Sequence, residues 1–142
     1  MTRPAGTPGL NAQLTALREE FPGWTIDASA DTDPPWRAVR DTGRSGPLQI
    51  GAASYAQMRA LLDEVDTVDC LHAVTDLRDV LRGRGLRAEM YGLIVHTHTR
   101  AWIVRAVAAR RGVYTWTSGV ELGPISDPGA VADRMMPGLG LA

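Results

Sequence analysis

Residues 86–117 read LRAEMYGLIVHTHTRAWIVRAVAARRGVYTWT, and this stretch decides the fold. It is the longest region of the chain that is dense in β-branched and aromatic residues, which favour strands. Turn signals at residues 91–92, 99–100 and 110–112 divide it into four pieces of strand length. The sequence therefore predicts an antiparallel meander of four strands.

The third strand of this meander, residues 101–109, is apolar on both faces apart from Arg105. Such a pattern suits a central strand in a sheet that is covered on both sides. We therefore expect helices from elsewhere in the chain to pack onto the sheet.

Helices and short strands flank the meander. Ser54 and Gln57 form a capping box that starts one helix, and Asp127-Pro128 starts another. The spacing of apolar residues and the positions of Gly and Pro predict the ends of the other helices and strands. The predicted helices are residues 8–21, 54–65, 69–82 and 127–136; the predicted strands outside the meander are residues 24–26, 36–40 and 47–50; residues 118–125 are predicted to be irregular. The predicted core comprises Leu17, Phe21, Trp24, Leu77, Leu81, Ile103, Val104 and Val107.

These elements predict a single α+β domain over residues 1–142, with an antiparallel meander packed against helices. Residues 17–23 match residues 77–83 at a constant offset, and both segments end a predicted helix that leads into a strand. This match predicts an internal duplication of a helix, three-strand, helix unit, with repeats at residues 8–66 and 67–138. Chance similarity is the alternative.

The chain has 142 residues, of which 44% are hydrophobic and 22% are charged. This composition is typical of a globular protein. No apolar run is long enough to cross a membrane. The first residues contain no apolar segment of the kind found in a signal peptide. We therefore expect a cytoplasmic protein without membrane contact. Cys70 is the single cysteine, so no disulfide can form within the chain.

All fifteen basic residues are arginine, a composition typical of GC-rich coding such as that of actinobacteria. The net charge of −1 hides an asymmetry. Residues before Arg78 carry six Arg against eleven acidic residues, whereas residues 78–111 carry eight Arg against Asp79 and Glu89. This pattern predicts two oppositely charged faces, and a site for an anion or nucleic acid is the alternative.

Two histidines suggest a metal site. His96 and His98 lie two apart in a predicted strand, so their side chains leave the same face roughly 6.6 Å apart. A metal would need a third ligand. Glu89 on the neighbouring predicted strand and His72 on another element are the nearest candidates. We expect His96 and His98 to be ordinary strand neighbours, with no bound metal or cofactor.

The last strand of the meander carries the candidate partner-binding side chains. Tyr114 and Trp116 share a strand face beside Arg110 and Arg111, and Arg105 interrupts the preceding strand. Aromatic rings next to arginine are typical of protein interfaces and of sites that grip single-stranded nucleic acid. These five residues are therefore predicted to bind a partner if the rings prove exposed. Tryptophans in predicted strands are usually core residues, so the first expectation is that the rings belong to the core and the exposed strip is the second.

No catalytic motif stands out in the sequence. The function predicted is a non-enzymatic cytoplasmic protein-binding module, such as an adaptor, chaperone-like or regulatory protein, acting through an exposed sheet face or its Arg-rich strands. One alternative is a small metal- or ligand-dependent enzyme that uses His96 and His98. Another is an accessory transcriptional regulator that contacts nucleic acid through residues 78–111. A homodimer is compatible with each of them.

One segment resembles a known family. Val-Arg-Asp-Thr at residues 39–42, Gly-Pro-Leu-Gln-Ile at residues 46–50 and the helix over residues 55–62 are similar to a small domain of unknown function. Genes for that domain lie beside helix-turn-helix regulators in actinobacteria. The similarity covers about a sixth of the chain. The helix, three-strand, helix order also resembles the secretion-chaperone fold, which implies binding to another protein.

Overall fold

The computed structural model describes residues 9–41, 47–98 and 104–140. Antiparallel sheets and helices make an α+β fold, as predicted. In chain order the elements are α1 (Leu10–Glu20), β1 (Thr25–Ala28), β2 (Trp36–Arg40), β3 (Leu48–Ala52), α2 (Tyr55–Gly83), β4 (Ala88–Tyr91), β5 (Ile94–His98), β6 (Val104–Arg110), β7 (Val113–Trp116), β8 (Glu121–Pro124), α3 (Pro128–Met135) and a 3-10 turn (Pro137–Leu139).

The chain divides into two compact units, Met1–Glu64 and Val65–Ala142, and the boundary falls within α2. The repeats predicted from the sequence divide the chain close to the same position. A structural boundary says nothing about common origin, so the internal duplication stays a prediction.

The first unit contains a three-stranded antiparallel sheet in the order β1-β2-β3. Leu14 and Leu17 recur at helical spacing, which gives α1 one buried face. Arg59 donates to both carboxylate oxygens of Glu20, at 3.1 and 3.0 Å, and so joins the start of α2 to the end of α1. The buried core of this unit consists of Leu14, Leu17, Phe21, Ile26, Trp36, Ala38, Ala52, Met58 and Leu62.

Helix α2 is continuous, and the prediction of two separate helices in this region was wrong. Its start is the predicted capping box: the Gln57 N–H donates to Ser54 Oγ at 3.2 Å, and Gln57 Oε1 accepts from the Ala53 N–H at 2.7 Å. No glycine or proline lies between residues 65 and 69. Thr67 and Val68 are weak helix formers, but they do not end a helix that tertiary packing supports. None of the described helices is long and apolar enough to cross a membrane.

The second unit contains a five-stranded antiparallel sheet whose strands follow one another in chain order, from β4 to β8. The four predicted strands are present, but residues 118–125 are not wholly irregular as expected. Glu121–Pro124 forms the fifth strand, with a register shift at Tyr114/Thr115. This strand has only four residues, and two of them, Gly123 and Pro124, are poor strand formers. The sequence pattern therefore does not predict it.

Helices α2 and α3 supply apolar side chains to the core of this second unit. Asp127 caps α3 by accepting from the Ala130 N–H at 3.0 Å, with Pro128 in the first turn, as predicted. The buried cluster comprises Cys70, Ala73, Val74, Leu77, Leu81, Ala88, Val95, Val107, Ala109, Tyr114, Trp116, Leu122, Val131, Ala132, Met135 and Leu139.

The predicted core is largely confirmed, with one clear error. The residues found buried are Leu17, Phe21, Leu77, Leu81 and Val107. Trp24 is only partly buried, and Ile103 lies outside the described residues. Val104 is 51% exposed, so its placement in the core was wrong. Alternation along β6 turns Val104 away from the face that carries Val107.

Candidate functional site

The two faces of the five-stranded sheet differ in what they contact. On β6, Val107 and Ala109 are buried in the core, whereas Ala106 and Ala108 between them are partly exposed. The expectation that this strand is covered on both sides is therefore wrong. We call the side chains that alternate with the core residues the outer face: Glu89, Tyr91, Ile94, His96, His98, Val104, Ala106, Ala108, Arg110, Val113, Thr115 and Glu121.

Much of the outer face is apolar. None of its residues belongs to the core cluster or packs against it. Tyr91 is 58% exposed and Val104 is 51% exposed. Ile94 and Val113 are partly exposed, as are the two alanines of β6. A sheet face that meets only water normally carries polar side chains, so this apolar surface requires an explanation.

The sheet of the first unit provides a comparison within the same chain. Its side chains that alternate with the core residues are all exposed, and most are polar: Thr25, Asp27, Arg37, Val39, Gln49 and Gly51. That face follows the usual pattern for an antiparallel sheet with one side in water. The outer face of the second unit departs from this pattern.

The strand register places the smallest side chains of the outer face on its middle strand. Ala106 pairs with His96, and Ala108 lies between Ile94 on β5 and Thr115 on β7. Because cross-strand partners are neighbours on the same face, the small alanine side chains form a floor between larger ones. We call this line of small side chains on β6, in the middle of the sheet, the trough.

Tyr91, His96 and Glu89 form an ordered cluster at the β4 side of the outer face. The rings of Tyr91 and His96 lie with their centroids 4.8 Å apart. The Tyr91 hydroxyl donates to Glu89 Oε2 at 3.0 Å, and that hydrogen bond to the carboxylate raises the pKa of Tyr91. Arg87 lies 3.9 Å from the same carboxylate. The cluster holds the Glu89 carboxylate in place at this edge of the face, with Arg87 beside it.

Tyr114 and Trp116 do share a face, but it is the core face. Tyr114 is fully buried and Trp116 is 7% exposed. The Tyr114 hydroxyl donates to the carbonyl oxygen of Ala73 on α2. The interpretation of these rings as core residues is therefore confirmed, and the exposed aromatic strip, on which their role in partner binding depended, is not present.

Two of the three predicted partner-binding arginines have intramolecular contacts instead. Arg105 donates to the Gly138 carbonyl oxygen at 3.0 Å, and its guanidinium lies 4.2 Å from the centroid of the Trp116 ring. Arg111 forms an ion pair with Asp66 at 2.9 Å. Arg110 is exposed and lies on the outer face. It is therefore the only one of the five predicted binding residues on that face.

Most of the described arginines in the basic stretch bind other groups of the second unit. The pairs are Arg78 with Asp79, Arg82 with the Ala88 carbonyl, Arg84 with Asp133 and with the Gly129 carbonyl, Arg87 with Glu89, and the contacts of Arg105 and Arg111 given above. Residues 99–103, including Arg100, lie outside the described part of the chain. The described arginines are thus distributed over several structural contacts rather than gathered in one basic patch.

His96 and His98 lie on the same face, and Glu89 is the cross-strand neighbour of His96. His72 is exposed on α2. Within residues 9–41, 47–98 and 104–140, no group of three or more His, Cys, Asp or Glu side chains is placed to hold a metal ion. The metal-dependent alternative therefore gains no support from this arrangement.

Comparison with known proteins adds nothing to this geometry. No family model, curated protein or solved structure matches the chain. The similarity of residues 39–62 to the actinobacterial domain stays a resemblance.

The sequence contained a signal for the outer face that we interpreted differently. Strand β6 is apolar at both alternating positions up to Ala109 apart from Arg105, a pattern that predicts helices on both sides. The same pattern also fits a strand whose second face is covered by a different molecule. Ile94, Ala106 and Ala108 were not recognised as candidate binding residues for this reason.

Proposed function

We propose that this chain is a non-enzymatic cytoplasmic protein-binding module that binds its partner on the outer face of the five-stranded sheet. The observation that carries this proposal is the group of apolar side chains on the outer face, namely Tyr91, Ile94, Val104, Ala106, Ala108 and Val113, set against the mostly polar face of the three-stranded sheet in the same chain. Burying apolar surface stabilises a complex by about 25 cal/mol per Å² before the costs of association.

The chemistry of the face fits protein binding better than catalysis. Its aliphatic side chains, two alanines and Tyr91 provide contact area, and its acids and histidines include no group of three placed to hold a metal ion within the described residues. Exposed aromatic residues such as Tyr91 are enriched at protein interfaces, where a ring supplies a large contact at little entropic cost. The described arginines of residues 78–111 are spread over several contacts rather than gathered in one patch, which disfavours the nucleic-acid alternative.

Site-directed photo-crosslinking tests this proposal. A benzophenone amino acid is placed at Thr115 on the outer face and, as a matched control, at Gln49 on the polar face of the first unit. After irradiation in the source cell, we expect one protein to be joined to the Thr115 position and none to the Gln49 position.

Charged substitutions give the second arm of the test. Ala108→Arg places a guanidinium in the middle of the outer face and should abolish the crosslink. Val39→Arg makes a comparable change on the face of the first unit and should leave the crosslink intact. Both positions have exposed surface, so both variants should keep the thermal midpoint of the parent protein. Equal labelling from Thr115 and Gln49, or labelling that survives Ala108→Arg, contradicts the proposal.

A further inference from the structure

We infer that the outer face receives one amphipathic helix, whose apolar stripe is flanked on both sides by Lys or Arg. This inference rests on the proposed function and names the kind of segment that the outer face binds. It follows from the dimensions of the face, from the trough along β6 and from the position of its charged residues.

The dimensions favour a helix over a second copy of the chain. Across the sheet, five strands about 4.8 Å apart span about 19 Å. Along the strands, four or five residues with a rise of about 3.4 Å each span about 15 Å. The resulting area of roughly 300 Å² is well below the 800 Å² or so that each partner of a standard interface buries. A helix about 10–12 Å in diameter fits within it, and three turns are about 16 Å long.

The small side chains of the trough suit the close approach of a helix. The neighbours of Ala106 and Ala108 are His96 and Ile94 on β5, and Thr115 on β7 lies beside Ala108. A helix presents a convex ridge of side chains, and small residues beneath that ridge allow close approach. Helices α2 and α3 already supply the core that covers the opposite face of this sheet.

Charge at the two sides of the face determines the flanking residues of the helix. Glu89 lies on β4, with the exposed Arg87 3.9 Å from its carboxylate, and Glu121 lies on β8; each is two strands from β6, about 10 Å from the axis of the trough. Lys or Arg side chains can lay their methylene groups over the intervening strand and place their charge beside a carboxylate. The hydrogen bond from Tyr91 holds Glu89 in position for such a contact.

Arg110 sets the direction of the helix. It lies at the end of β6 and therefore at one end of the trough, and it is exposed. The C-terminus of a helix carries a partial negative charge that favours a nearby cation. The bound helix is therefore expected to run along β6 with its C-terminus at Arg110.

Three synthetic 18-residue peptides with the same apolar stripe test the inference against the full-length, ¹⁵N-labelled protein. The first has Lys on both flanks, the second has Glu there, and the third has the Lys flanks with a central proline. We expect the Lys-flanked peptide to shift the amide resonances of β5, β6 and β7. It should bind about tenfold more tightly than the Glu-flanked peptide, because surface charge pairs contribute modestly. The proline peptide should bind at least tenfold more weakly, since proline breaks the helix.

A charge-matched pair of protein variants controls the electrostatic part. Glu89→Gln with Glu121→Gln should reduce the preference between the Lys and Glu peptides to about twofold or less. Asp31→Asn with Asp33→Asn removes the same charge from an exposed loop of the first unit and should keep the tenfold preference.

Each result decides for or against the helix. Equal binding of the Lys and Glu peptides, equal binding of the proline peptide, or shifts confined to another surface would overturn it. A native partner that crosslinks to Thr115 through a non-helical segment overturns the helix and leaves the proposed function standing. If no protein crosslinks at Thr115, the proposed function fails and the helix inference fails with it.

Discussion

Thr97 is fully buried on the core face of β5, between Ala88 and Arg105 on the adjacent strands. Its hydroxyl oxygen has no hydrogen-bond partner among the described residues. A buried hydroxyl without a partner costs free energy, and valine has nearly the same shape without the polar atom. We expect Thr97→Val to raise the free energy of unfolding by about 1 kcal/mol in urea denaturation.

The matched control for Thr97 is Thr115→Val on the outer face. Thr115 is partly exposed, so its hydroxyl can be solvated and the substitution should change stability by less than about 0.5 kcal/mol. A loss of stability in Thr97→Val would mean that the hydroxyl is hydrogen-bonded in solution.

Cys70 gives a second prediction at the level of a single residue. Burial, with a smaller contribution from the negative charge of Asp66, raises the pKa of its thiol from 9.0 to about 11. The Cys70 thiol therefore keeps its proton in the folded state at a pH where it has lost that proton in the unfolded chain. This contribution to stability is complete below about pH 9 and disappears as the pH rises towards 11.

Denaturation of the parent protein and of Cys70→Ala between pH 8 and 11 measures this effect. The substitution removes the titrating thiol, so we expect the stability of the parent to fall more steeply with pH than that of the variant. Parallel pH profiles would show that the thiol titrates alike in both states. Below pH 9 the buried thiol should also resist alkylating reagents until the protein is unfolded.

The turn between β6 and β7 is attached to α2 by one carboxylate. Asp66 Oδ2 accepts from the Arg111 guanidinium at 2.9 Å and from the Arg111 N–H at 3.3 Å. Arg111 has a φ of 49°, a left-handed conformation that is costly for a residue other than glycine. The two hydrogen bonds to Asp66 offset that cost and hold the turn against the helix.

A double-mutant cycle tests the attachment of this turn. Asp66→Ala and Arg111→Ala should each lower the free energy of unfolding by about 1–3 kcal/mol, because each leaves a partly buried charge without its partner. The double variant should lose less than the sum of the two. Strict additivity would show that the ion pair contributes nothing. Arg110→Ala, next to it in the chain but exposed, should have almost no effect on stability.

Most elements could be predicted from the sequence because their signals are local. Capping residues, glycines and proline mark the ends of α1, α2 and α3, and β-branched residues mark β4 to β7. The break expected within α2 and the missing β8 were errors of a different kind. In both cases tertiary packing stabilises a segment whose own composition is unfavourable.

The candidate site was harder to predict because strand alternation gives relative positions and not absolute ones. Spacing correctly grouped Tyr114 with Trp116 and His96 with His98. It could not show which of the two groups faces the core, since that depends on where the helices pack. An error of one residue in the assumed register moves every side chain of a strand to the opposite face of the sheet.

The charge of the whole chain yields a prediction about nucleic acid. Counted along the sequence, residues 78–111 are strongly basic, but the described arginines there are mostly held in contacts with acidic residues or carbonyl oxygens. We expect no detectable binding of random single-stranded DNA at micromolar protein and physiological salt in a fluorescence anisotropy titration. Steeply salt-dependent binding that is lost in Arg110→Ala with Arg87→Ala would favour the regulator instead.

The outer face also affects how the purified protein would behave in routine assays. Dyes such as anilinonaphthalene sulfonate fluoresce on exposed apolar surface and are commonly taken to report a molten globule. Here a fully folded chain exposes such a surface around Ala106 and Ala108. Bright dye fluorescence together with a sharp, cooperative thermal transition would therefore be the signature of the native state, and a screen based on dye signal alone would discard correctly folded protein as misfolded.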